Sequence, residues 1–143
     1  MYSRIIVGYD GSAYGAAALL QAAELARCTA AELHLVAVCD SSGGMAIAQA
    51  TGAGDALGNE MALLQPALEE SGRRLRDTGL TVTCAIRSGE PAAEIAAHAR
   101  EIRADLIVLG HTGKGVFSRW MLGSVGAALL DHPPCSLLVA MPR

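Results

Sequence analysis

Short runs of aliphatic and β-branched residues recur along this chain at wide intervals, and each interval carries a helical pattern. The runs are RIIVGYD (4–10), AELHLVAVC (31–39), ADLIVLG (104–110) and SLLVAM (136–141), with a fifth, LTVTCAIR (80–87), that alternates more strongly. Runs apolar on both faces suit strands covered by helices above and below. After Ser12, a natural N-cap, an Ala-rich segment reaches Cys28 with Leu19, Ala22, Leu25 and Ala26 on one face. Around 59–78, Met61, Leu64, Leu68 and Leu75 share a stripe, and Gly79 supplies a stop. Pro66 either kinks that helix or marks where its regular part begins. In GEPAAEIAAHAREI, Pro91 suits the first helical position, and Ala92, Ile95, Ala96, Ala99 and Ile102 follow at helical spacing. A short last helix runs from about Val125 to Asp131, before Pro133-Pro134. Five strands alternating with four helices predict a single-domain α/β fold, a doubly wound parallel sheet with helices on both faces.

A length of 143 residues suggests one domain that buries roughly two-thirds of its unfolded surface. Hydrophobic residues make up 52% but aromatics only 3%, so the core is built from Ala, Val, Leu and Ile. A net charge of −3 gives no electrostatic footprint for nucleic acid, although backbone amides can still hold a small anion. No apolar run approaches the ~20 residues of a membrane span. The opening MYSRIIVGYD reads as neither signal peptide nor anchor, so the expected location is cytoplasmic. Cys28, Cys39, Cys84 and Cys135 form no C-x-x-C and read as small buried thiols in a reduced compartment. The four histidines show no ligand spacing, so no metal site made by the protein alone is expected. The one break in composition is 41–58, with five glycines and no regular period; it reads as a mobile excursion, a lid or a disordered loop.

Five glycines lie between Gly110 and Gly126, directly behind the strand ADLIVL. Ligands of open α/β sheets bind at the carboxyl ends of strands, where connections part to opposite faces. Glycines there let backbone N–H groups approach a ligand, and a helix opening at Ser124 offers unpaired amides and partial positive charge. Such clusters make a phosphate pocket. Tight turns would account for Gly110, Gly113 and Gly115 equally well. The Walker loop fails because Val116 and Phe117 follow Gly115, and the dinucleotide fingerprint fails at Ser118.

The spacing Gly110-x2-Gly113-x9-Gly123-Ser124 resembles the ATP-binding signature of the universal stress proteins, G-x2-G-x9-G-[S/T]. IIVGYDGS resembles their first strand and its turn, and ADLIVLGHTGKG and HPPCSLLVAMPR their fourth and closing strands. The resemblance spans 1–143, with 41–58 unmatched. It implies an adenine-nucleotide alpha-hydrolase-like sheet of order 3-2-1-4-5 and an ATP site between strands one and four. Asp10 then lies near the ribose and the metal-phosphate end, with Mg²⁺ (or Mn²⁺) bridging the phosphates. Tyr9 and Val38 line the adenine pocket. Gly110, His111 and Gly113 form the ribose-phosphate loop, and Gly123, Ser124 and Val125 hold the phosphates. Gly126 stands where ATP-binding members often carry another hydroxyl. The family also implies a homodimer through the closing strand, 136–141, which is apolar on both faces at a sheet edge.

Asp10 and Ser12 also read as a turn former and a helix cap. At His111 a main-chain contact fits better than acid–base catalysis, since no nucleophile or carboxylate is near it in sequence. Lys114 and Arg119 suit a phosphate or a solvated loop face equally. The leading expectation is an ATP-dependent regulatory module of the stress response, with a regulatory protein partner of unknown identity. A slow ATPase or nucleotidyl or phosphoryl transferase is the second reading, for which no catalytic base is evident. A dimeric interaction protein without nucleotide is the third.

Overall fold

The computed structural model describes residues 1–11, 13–40, 56–111 and 124–142. Strands β1 (Arg4–Gly8), β2 (Glu32–Asp40), β3 (Val82–Gly89), β4 (Leu106–Gly110) and β5 (Ser136–Ala140) form one sheet. They alternate with helices α1 (Ala13–Thr29), α2 (Ala56–Asp77), α3 (Pro91–Ile102) and α4 (Ser124–Asp131). Every neighbouring pair is parallel and the order is β3-β2-β1-β4-β5, as the resemblance implies.

Side chains alternate across each strand, and this splits the apolar runs between two cores. Ile5, Val7, Leu33, Leu35, Leu106 and Val108 face α1 and α2. Ile6, Val36, Val38, Ile107 and Leu109 face α3 and α4, where they meet Ile95, Val125 and Leu129. With so few aromatics, the helices are filled by small residues. The sheet-facing side of α1 carries Ala18, Ala22, Ala23 and Ala26, each at most 1% exposed. Methyl groups of this size let a helix settle close to the pleat.

The boundaries follow local chemistry. The carboxylate of Glu90 accepts hydrogen bonds from the amides of Ala92 (3.1 Å) and Ala93 (2.8 Å), capping α3 ahead of Pro91. At the other end of α3, Arg103 turns left-handed with φ 54°. Gly79, with φ +90°, ends the turn after α2 as the sequence predicts. The carboxylate of Asp105 accepts from the amides of Ser3 (2.8 and 3.1 Å) and Arg4 (3.3 Å), fastening the start of β1 to the start of β4.

Two expectations need correction. α2 begins at Ala56, inside the 41–58 stretch read as irregular, and Pro66 lies within it instead of opening its regular part. The stripe explains this: Leu68 is buried, with Met61, Leu64 and Leu75 half-buried beside it, so packing outweighs the one hydrogen bond that proline cannot donate. Residues 41–55, and with them the expected mobile excursion, lie outside the described residues. Second, of the thiols expected to be buried, Cys28 is exposed near the end of α1; Cys39 is buried, and Cys84 and Cys135 are half-buried. Among the described residues no helix is long and apolar enough to cross a membrane.

Candidate functional site

β1 is the central strand. The chain leaves it toward β2 on one side and leaves β4 toward β5 on the other, so connections part between β1 and β4. The pairing of β1 with β4 ends at Val7–Val108. The flanking ladders continue. Gly8 still pairs with Val36, and the Tyr9 amide donates to the Val36 carbonyl at 2.9 Å. Gly110 still pairs with Ala140, and the His111 amide donates to the Ala140 carbonyl at 2.9 Å. Each strand thus follows its outer neighbour, and a crevice opens between Gly8–Asp10 and Leu109–His111.

The residues expected at the site divide into two groups. Tyr9, Asp10, Gly110 and His111 are brought together at this rim. The Tyr9 ring turns onto the α1–α2 core, where the Ser71 hydroxyl donates to its oxygen at 3.5 Å, so its contribution to the crevice is main chain. Gly11 follows with φ +78°, a conformation that L side chains rarely adopt, and no atom lies within 4 Å of where its Cβ would stand. At His111, where a main-chain contact is expected, the amide is engaged by the Ala140 carbonyl of β5. The His111 side chain is half-buried.

Val38 and Val125, 3% and 2% exposed, belong to one buried cluster beneath α3 and α4. They back the site as apolar wall. Ser124 opens α4 with Gly126 buried two residues in, so a helix start is present as the sequence predicts. Gly113 and Gly123 lie outside the described residues, as do Ser12, Lys114 and Arg119. Among the described residues no group of three or more His, Cys, Asp or Glu could hold a metal ion. A single rim carboxylate such as Asp10 suits Mg²⁺ only in company with ligand phosphates, because that ion usually keeps few protein ligands.

Sequence reasoning missed a second polar cluster. His34 on β2 and His98 on α3 meet edge-on beneath α3, with ring centroids 6.0 Å apart. Beside them the Arg87 guanidinium reaches Glu94 (2.7 Å) and Glu101 (2.8 Å). The available signal was a polar residue in an inward slot: His98 stands three positions after Ile95 on the buried face of α3.

A model of the universal stress protein family matches residues 1–140. Universal stress protein MJ0531 of Methanocaldococcus jannaschii is 30% identical over 140 residues, covering 97% of this chain and 82% of that relative. The solved structure of hypothetical protein MJ0577 superposes with a TM-score of 0.80 at 26% identity, covering all of this chain and 98% of the other. The universal stress protein from Archaeoglobus fulgidus, solved in complex with dAMP, shares the fold with a TM-score of 0.71 at 20% identity, covering 97% and 98% of the two chains. With a family match over almost its whole length and the sheet order that the resemblance implies, the chain belongs to the universal stress protein family.

Proposed function

We infer that this chain is an ATP-binding regulatory module of the stress response, working in the cytoplasm. The observation that carries this reading is the parting of β1 from β4 after Val7–Val108, which opens a crevice beside Asp10, Gly110 and His111. The dAMP bound by the Archaeoglobus protein of the same fold supports an adenine nucleotide as the ligand class. The phosphates rest on Gly113, Gly123, Ser124 and Val125 at the start of α4, where unpaired amides favour negative charge. Adenine lies against Tyr9 and Val38. Asp10, together with the phosphates, would hold Mg²⁺ (or Mn²⁺), which would neutralise phosphate charge.

Denaturing the purified protein and identifying what it releases tests this directly. The wild type is expected to release ATP near one per chain, and Gly113→Val, which pushes a side chain into the phosphate loop, to release none. If neither protein carries nucleotide and calorimetry detects no heat with millimolar Mg·ATP, the reading fails.

The module pairs with a second copy through β5. That strand lies at the sheet edge with Leu137, Leu138 and Val139 half-buried, and Met141 beyond it is 58% exposed. Apolar edges of this kind favour pairing with another chain. Light scattering at micromolar concentration is expected to give twice the 14.7 kDa chain mass, and a strictly monomeric mass contradicts the pairing.

A further inference from the structure

His34 and His98 are the buried titratable pair that the nucleotide site does not use. Their side chains are 12% and 11% exposed. Each Nε2 is buried without a hydrogen-bond partner. Arg87 Nη1 lies 3.3 Å from His98 Nδ1. A guanidinium only donates, so Nδ1 must be the acceptor, and the proton of neutral His98 sits on Nε2. A second proton could enter only at Nδ1. It would displace Arg87 and set two cations side by side.

The surrounding charges do little to relieve that conflict. On β2, Glu32 Oε2 stands 3.7 Å from His34 Nε2 but is itself half exposed, and Arg4 on β1 opposes it. On α3, Glu101 Oε2 is 4.0 Å from His98 Nδ1, yet Glu101 and Glu94 are already engaged by Arg87 from β3. Burial, first of all, pushes both imidazoles below their ordinary value; for His98, Arg87 and His34 add to this, whereas for His34 Glu32 works against it.

α3 is the element able to yield. Its apolar hold on the sheet is Ile95 and the methyls of Ala92, Ala96 and Ala99, and its polar hold is the pairing of Glu94 and Glu101 with Arg87. Lifting it would return both rings to water and free Arg87. We propose that His34 and His98 form a proton-operated latch, closed while both rings are neutral and released by acid, which parts α3 from the β1–β2–β3 face.

The sign follows from linkage. With folded-state values below the ordinary 6.5, the unfolded chain takes up protons as pH falls through that value while the folded chain does not. Stability is therefore complete above pH 6.5 and declines below it, until the folded-state values are passed. The unfolding constant rises by at most about tenfold per pH unit for each ring. The Glu101 carboxyl is held below its usual range by Arg87, so Glu101 stays ionised through this window and adds no titration of its own.

Hydrogen exchange at pH 7.5 and 5.5, corrected for intrinsic rates, tests the latch. Amides of α3 are expected to lose protection at pH 5.5, by up to about tenfold for each ring, while those of α1 hold theirs. In His34→Leu/His98→Leu the difference should vanish. Equal α3 protection at both pH values in the wild type, loss spread evenly over the fold, or a pH effect surviving in the double variant would each overturn the proposal. Should that variant fail to fold, NMR titration of the wild-type rings decides: midpoints below 6.5 for both support the latch, and a midpoint at or above it for either removes it.

Discussion

A Gly11→Val variant is expected to fold but to retain at least tenfold less nucleotide than the wild type. The backbone at position 11 has φ +78° with open space around the missing Cβ, so the penalty is conformational and not a collision. A β-branched residue held there costs on the order of 1–3 kcal/mol. The chain relieves that strain by turning the peptide that carries Asp10 at the crevice rim. Gly79→Val is the matched control. Its φ of +90° is equally strained and its surroundings equally open, but it precedes β3 at the opposite end of the sheet. Both variants should lose similar stability in urea, and only Gly11→Val should lose binding in calorimetry with Mg·ATP. Equal affinities in the two would move the nucleotide away from the exit of β1.

Ile6→Ala should be the more damaging change to the fold itself. Ile6 is 0% exposed on the central strand and packs into the core beneath α3 and α4. Emptying such a site removes about 2–5 kcal/mol, the lost transfer energy plus a cavity that the sheet cannot collapse to fill. For a chain of this size that lowers the melting temperature by about 10 °C. Leu63→Ala, at a position 79% exposed on α2, should stay within about 0.5 kcal/mol of the wild type. Calorimetric melts of the two variants check the contrast, and a shift of Ile6→Ala below 3 °C would contradict it.

The elements of this fold were written plainly in the chain; their neighbours were not. Runs such as RIIVG and LIVLG mark strands because both of their faces are apolar, and Pro91 and Gly79 punctuate helices by fixed backbone rules. Sheet order depends on which strands meet in space, and only the family likeness supplied it. At the crevice, Asp10, Gly110 and His111 could be placed because each lies at or within two residues of the end of a strand. The engagement of the His111 amide by Ala140 could not, because it depends on the register of β4 against β5. The pair of His34 and His98 was hidden for a similar reason. One occupies an inward slot with a period of two and the other an inward slot with a helical period, and only the docking of α3 sets them face to face.

The alanine face of α1 makes tolerance to change asymmetric. At Ala22 or Ala26, trimming to glycine removes a single methyl, whereas a valine or leucine has no room to enter. Any added bulk there lifts the helix as a whole, and with it the first turn of α1 that follows Asp10 and Gly11. The face of α1 that meets the sheet thus constrains its residues in one direction only, through the thickness left between helix and strands.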